Sequence, residues 1–227
     1  LLDKEISKIN PEDLGIEENG DEFTFIIMAD PQGADVSDPD DNRCRSKIHN
    51  AFIEESIRLA KNLKQKPAFC LMLGDIVDYQ GEARDFAQMD RFFKKLNMPV
   101  LYEMGNHESK YSTKFEPGYN LAGFNNYFAA QKAINGMDEL LYSFNLGKWH
   151  FIVWPDPLRK EFWENHPHYF DWLEQDLEKH KIRPSLFFQH IPMHPIAINP
   201  LINYTRQAAV QRLLFQILAK HGNVKNI

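Results

Sequence analysis

The sequence predicts an α/β fold: a mostly parallel sheet with helices laid across it. Three observations lead there. Apolar runs of strand length recur at Phe23–Met28, Phe69–Leu73 and Pro99–Met104. The intervals between them carry apolar residues at helical spacing. Each run is followed closely by a turn residue and a polar group. A continuous apolar run suits a strand buried on both faces, and strand–helix–strand units imply parallel strands joined by right-handed crossovers. The polar groups Asp30, Asp75 and Asn106 would then stand at the carboxyl ends, where such sheets open their crevices.

Taken in order, Leu1 to Glu22 is charged and broken by Asn10-Pro11 and Asn19-Gly20, and reads as a surface lead-in. The first strand, Phe23–Met28, is apolar enough for the interior of a sheet. Pro31, which has no N–H to give a ladder, ends it beside Asp30. Residues 34–44 form an acidic loop with Asp35, Asp38, Asp40 and Asp41. Their spacing is not that of a calcium loop, so the loop is read as solvated. Arg45 to Lys66 is a helix with Ile48, Phe52, Ile57, Ala60 and Leu63 as its stripe, stopped by Pro67. Glu82 to Leu96 is a second helix, with Phe86, Met89, Phe93 and Leu96 inward.

Residues 108–139 lack clear periodicity and are rich in aromatics, from Tyr111 to Phe128. A loop of that length starting at the crevice is either a substrate lid or a short helix with a packing loop. Leu141–Leu146 and Trp149–Val153 alternate as a hairpin about Gly147-Lys148, which could begin a second sheet. The aromatic stretch Trp154–Pro167 follows, then an amphipathic helix at His168–Lys181. The run from Ser185 is another strand, ending at His190 ahead of Pro192. Tyr204–His221 is helical, Gly222 terminates it, and Val224 opens a further strand. Residues 23–227 thus read as one domain, with 108–139 as an insertion beside the site.

With 227 residues, 43% of them hydrophobic, the chain has material for one cored domain and is not globally disordered. A net charge of −6 argues against a nucleic-acid surface. Two cysteines, Cys44 and Cys70, make neither a disulfide framework nor a zinc knuckle. Cys70 reads as a core thiol. No apolar segment reaches membrane-spanning length. The chain opens at Leu1 with no recognisable signal peptide. A soluble protein is expected, cytoplasmic or exported after loss of an upstream segment. Asn203-Tyr204-Thr205 matches a glycosylation acceptor, a pattern too short to carry weight.

Collected at the strand tips are Asp30, Asp75, Asn106 and His190. Carboxylate, amide oxygen and imidazole suit borderline divalent ions. Each also has an ordinary role: an aspartate after a strand caps a helix or shapes a turn, and an asparagine turns the chain. His49, His150, His166, His168, His180 and His221 are read as surface or partly packed. Joint placement sets the four apart.

The run Gly74-Asp75-Ile76-Val77-Asp78, then Gly105-Asn106-His107-Glu108, then His190 before Pro192, resembles the calcineurin-like metallophosphoesterase family across Phe23 to Ile227. That resemblance implies a two-sheet β-sandwich flanked by helices, with two divalent metal ions (Mn, Fe or Zn) at the strand ends. It implies Asp30 on the first metal, Asp75 bridging, and Asn106 and His190 on the second. His107 would be the acid near the leaving group, oriented by Asp78, and a metal-activated water the nucleophile. An imidazole can give up a proton near neutral pH, which suits that role.

Two departures stand out. Where the family has Asp-x-His, this chain has Asp30-Pro31-Gln32, and Gln32 offers a neutral amide oxygen as a metal ligand. A subgroup resembling the serine/threonine phosphatase with a calcineurin-like domain shares both Asp-Pro-Gln and the Gln189-His190-Ile191-Pro192 run. The family's closing Gly-His-x-His has no match, so the natural chain is expected to continue past Ile227, with metal occupancy low without it. His194 is a weak substitute. The expected function is hydrolysis of phosphate esters, monoesters ahead of diesters, on a phosphorylated small molecule or phosphoprotein. The alternative is a catalytically impaired binding module on the same fold.

Overall fold

Alternation along single strands shows how the chain makes two layers of sheet. In the computed structural model, residues 6–17, 20, 22–37, 44–78, 80–109, 120–156, 160–192 and 208–226 are described. Strands β2 (Ile26–Ala29), β3 (Cys70–Leu73) and β4 (Val100–Glu103) form a parallel sheet in the order β2-β3-β4. Strands β1 (Ile6–Lys8), β5 (Leu141–Leu146), β6 (Trp149–Val153) and β7 (Ser185–Phe188) form the second, in that order. There β5 and β6 are the antiparallel hairpin, while β1 and β7 run parallel to their neighbours.

Phe69, Leu71 and Leu101 from the first sheet pack with Tyr142, Phe144, Phe151, Val153 and Phe188 from the second. Their rings stack: Phe144 and Phe151 lie 4.8 Å apart, and Phe69 meets Phe151 edge-on at 5.6 Å. The intervening residues Cys70, Met72, Val100 and Tyr102 turn the other way, into a cluster with Ile53, Ile57, Phe86, Met89 and Tyr127. Those belong to α1 (Cys44–Lys61), α2 (Ala83–Phe93) and α4 (Leu121–Asn135). Ile152 and Phe187 likewise face Leu173 and Leu177 of α6 (His168–Lys179) and Leu214 and Leu218 of α7 (Ala208–Lys220). Both faces of the central strands are covered, hence their unbroken apolar runs. The expected sandwich flanked by helices is the architecture observed.

Several local expectations change. Ile6–Lys8, in the stretch read as surface lead-in, joins the second sheet beside β5. The first strand, read as interior, is an edge: β2 pairs with β3 alone among the described residues, and Ile27 is 48% exposed. Hydrophobicity marks what a strand buries; it does not say whether a second strand lies alongside. On α1 the inner face is Ile53, Ile57 and Ala60, whereas Ile48, Phe52 and Leu63 of the expected stripe are exposed. Trp154, Phe162 and Trp163 are buried, Trp154 stacked on Trp163 at 5.2 Å, so this aromatic stretch is core. It includes a short helix α5 (Lys160–Asn165). The stretch 108–139 is entered through a single turn, α3 (Asn106–Ser109), and its residues 121–135 make α4. The rest of the expected lid, Tyr111 to Tyr119, lies outside the described residues, as do Asp38, Asp40, Asp41, His194 and Asn203–Thr205.

Candidate metal centre

Register brings the strand ends together. Ala29, Leu73 and Glu103 are cross-strand neighbours, so Asp30, Gly74-Asp75 and Gly105-Asn106 leave the first sheet at one level. The second sheet reaches the same rim through two bonds. The Asp156 N–H donates to the Met104 carbonyl at 2.7 Å, and the His190 Nδ1 lies 3.1 Å from the Leu73 carbonyl.

The motif glycines are there for closeness. A Cβ on Gly105 would strike the backbone N and the carboxylate of Asp75, and one on Gly74 would strike the His190 ring. Asp30, Gln32 and Asp75 all adopt left-handed backbone, at φ 50°, 45° and 49°. Non-glycine residues hold that conformation at a cost of about 1–3 kcal/mol each, and only where surroundings over-determine it. Glu108 supplies much of that constraint at Asp75. Its buried carboxylate accepts N–H bonds from Asp75 (3.2 Å), Ile76 (2.7 Å), Val77 (3.2 Å) and Gly105 (2.9 Å). Burial, and then the charge of Asp75, push Glu108 up to about 8.

Asp30, Asp75 and His190 offer ligand atoms that all lie within 4.8 Å of one another. His190 Nε2 stands 3.4 Å from Asp75 Oδ2 and 4.0 Å from Asp30 Oδ1. With Nδ1 committed to the Leu73 carbonyl, Nε2 is the atom left to face the carboxylates, the usual arrangement of a metal-binding imidazole. Burial disfavours the charged ring, yet the hydrogen bond and charge of Asp75 outweigh it and raise His190 to about 11. Burial also works against charge on Asp75, but His190 and then His107 hold its carboxyl below the ordinary value. Half-exposed Asp30 is raised, by burial first; His190 opposes that shift and Asp75 adds to it. A proton on His190 thus fills the place that a divalent cation would take, so the donor set fits the expected group.

The remaining expected residues fall around this core. Asn106 opens α3 directly after Gly105, and the next N–H, of His107, donates to Asp75 Oδ1 at 2.8 Å. His107 Nε2 lies 3.5 Å from Asp75 Oδ2, and its Nδ1 is bonded to the backbone carbonyl of Asp78. The Asp78 carboxylate is turned elsewhere, to Arg45 Nη2 at 2.9 Å and to the Ser46 hydroxyl. Gln32 points its nitrogen, not its oxygen, at the carboxylates, with Nε2 3.4 Å from Asp30 Oδ1 and 3.3 Å from Asp75 Oδ2. Its Oε1 accepts from Arg45 at 2.6 Å. A groove of about 340 Å³ leads from Asp30 along α1 past His49 and Phe52. Glu103, at the end of β4, is buried with neither oxygen bonded among the described residues. Burial raises its carboxyl well above the ordinary value, with His190 opposing that shift.

Sequence reasoning named Glu108 within its motif without assigning it work, and a carboxyl directly after His107 was the available signal. Arg45 carried no signal. Nor did a second cluster, His150, Asp176 and His180, whose ligand atoms also lie within 4.8 Å. Two distinct groups of His and Asp side chains are therefore spaced to take up a divalent ion. In the second, the two rings stack 4.0 Å apart, and His150 bonds Asp176 Oδ2 at 2.6 Å while His180 Nε2 meets Lys8 Nζ at 3.0 Å. Near-parallel rings cannot both aim in-plane lone pairs at one ion, and an ammonium stands beside them. We read that cluster as a polar staple joining β1, β6 and α6.

A two-sheet α/β sandwich with metal-competent His and Asp groups at its strand ends is the class these residues define. The sequence profile of the calcineurin-like phosphoesterase family matches residues 23–222, and the chain belongs to that family. Membership and the cluster together support a metal-dependent phosphoesterase activity in general terms. Among curated proteins, the human (Homo sapiens) manganese-dependent ADP-ribose/CDP-alcohol diphosphatase is 31% identical over 113 residues. That match is 41% of this chain and spans 33% of the human protein. Among solved structures, a purple acid phosphatase from yellow lupin (Lupinus luteus) seeds aligns at TM-score 0.49 and 14% identity, over 78% of this chain and 32% of that one. Among the described residues, no helix is long and apolar enough to cross a membrane.

Proposed function

We propose that this protein hydrolyses phosphate esters at a centre of two divalent ions held by Asp30, Asp75, Asn106 and His190. The observation that carries the reading is the convergence of Asp30, Asp75 and His190, from strand ends on two different sheets, within 4.8 Å. Divalent ions in such a site acidify a bound water and offset the charge of an in-line displacement at phosphorus. The chain's own residues supply the rest. Asp75, buried and pinned through Glu108, would be the ligand shared by both ions. Asp30 is the exposed ligand at the open side. Gln32 could turn its oxygen to an ion only by giving up Arg45. His107, its Nδ1 fixed by the Asp78 carbonyl, keeps Nε2 as the atom that can pass a proton to the leaving oxygen.

The subgroup resemblance favours monoesters, of a phosphorylated small molecule or a phosphoprotein. A second reading, hydrolysis of a diphosphate linkage, is motivated by the name of the human relative and by a cation, Arg45, at the edge of the site.

The test is metal content and phosphate release together. Chelated protein should regain activity with Mn²⁺, Fe²⁺ or Zn²⁺, in step with metal bound per chain. Replacing Asp30 with Ala should lower both. Full turnover without bound metal would remove the metal ions from the mechanism, and metal uptake with no hydrolysis of any phosphate ester would leave a binding module on this fold.

A further inference from the structure

We propose that Arg45 reads the charge of the leaving group. Its guanidinium docks a second phosphate on the leaving side, and so favours substrates whose departing group carries a phosphate of its own. This rests on the reading above in one respect: His107 marks the leaving side.

The placement comes first. Arg45 lies on the first turn of α1 and reaches Asp78 Oδ1 at 2.9 Å and Gln32 Oε1 at 2.6 Å. Asp78 is the same residue whose carbonyl grips His107. One residue therefore holds the candidate proton donor with its backbone and the arginine with its side chain. Gln32 in turn touches Asp30 and Asp75, so the guanidinium borders the metal centre and the acid at once.

The capacity comes next. Among the described residues both bonds run through Nη2, and the side chain is 62% exposed. Nε and Nη1 make no bond to the described residues. A guanidinium presents its donors as a planar fork that fits two non-bridging phosphate oxygens. Among the described residues no other lysine or arginine is seen to bond a residue of this site. Arg58, Arg84, Lys94 and Lys181 pair with acids on their own helices or turns.

The chemistry then selects the ligand. The phosphoryl group under attack would have its charge offset by the metal ions. An alcohol leaving group brings no charge for an arginine to meet, whereas a leaving phosphate brings one beside His107. A purely structural role is the competing account, since exposed ion pairs contribute little. Asp78 is already held by the Ser46 hydroxyl, so loss of Arg45 should not release it.

The experiment compares wild type with Arg45→Gln and Arg45→Lys, saturated with Mn²⁺, on ADP and on p-nitrophenyl phosphate. Calorimetry with α,β-methylene-ADP and with inorganic phosphate runs alongside. In Arg45→Gln, kcat/KM on ADP and affinity for the methylene analogue should fall roughly 10–100-fold, the worth of a charged hydrogen-bonded pair. The aryl phosphate rate and phosphate binding should change less than about threefold. Arg45→Lys should recover part of the loss, as a point charge without the fork. Equal losses on both substrates would overturn the proposal and leave Arg45 as a support for Asp78. So would an unchanged affinity for the analogue, whatever the rates. If wild type hydrolyses neither compound yet Arg45→Gln weakens the analogue selectively, the hydrolytic reading fails and the anion-reading role stands.

Discussion

Asp75→Asn in chelated protein isolates the electrostatics of the centre from its chemistry. In wild type Asp75 and His190 form a buried ion pair at 3.4 Å, with side chains 4% and 7% exposed. The substitution keeps the shape and leaves the imidazolium without its main partner. Breaking one side of a buried pair costs about 3–5 kcal/mol. Two features favour the low end. Asp30 remains 4.0 Å from the ring, and His190 can release its proton. We expect a loss of about 3 kcal/mol at pH 7, read as a shift of the urea midpoint in EDTA. The pH course follows from the sign of the shift. His190 is raised above its ordinary 6.5 to about 11, so its stabilisation is complete below 6.5 and fades as pH climbs toward 11. The gap between wild type and variant should therefore narrow from pH 7 to pH 10. A gap below about 1 kcal/mol at pH 7, a value typical of an exposed pair, or one that widens with pH, would refute the buried pair.

Two further outcomes follow from the same geometry. His107→Asn should keep its metal, measured per chain, while slowing an alkyl phosphate by roughly 10²–10⁴-fold and p-nitrophenyl phosphate much less, because an aryl oxide leaves with little help; equal losses on both would leave His107 a positioning donor. At the staple, burial and then His150 hold His180 below its ordinary 6.5, with Lys8 also facing the ring. The unfolded chain therefore binds more protons there, and stability should drop as pH falls below 6.5. His180→Asn should flatten that part of the thermal-midpoint profile, and an unchanged slope would place the effect elsewhere.

What could be read from the sequence was what local chemistry enforces. Apolar runs that alternate between two cores mark strands whatever their neighbours, and so β3, β4 and β7 stood out. Gly74 and Gly105 mark places where nothing larger fits, and the polar residues beside them were legible as a cluster once the strands were parallel. The stripe Phe86, Met89 and Phe93 of α2, with Leu96 in the turn after it, was correct because these residues have one covered side. Tertiary structure alone decided the rest. It left β2 with β3 as its one neighbour among the described residues, since a ladder partner is chosen by another segment and leaves no trace in the strand's own residues. It turned α1 so that Phe52 faces out, 68% exposed, because hydrophobic spacing allows more than one face and packing selects among them. It gave Asp78's carbonyl, rather than its carboxylate, to His107, and so freed the carboxylate for Arg45 and Ser46. It also brought His150, Asp176 and His180 into one buried group. Contacts between residues far apart in the chain depend on how layers stack, and no periodicity encodes a partner's identity.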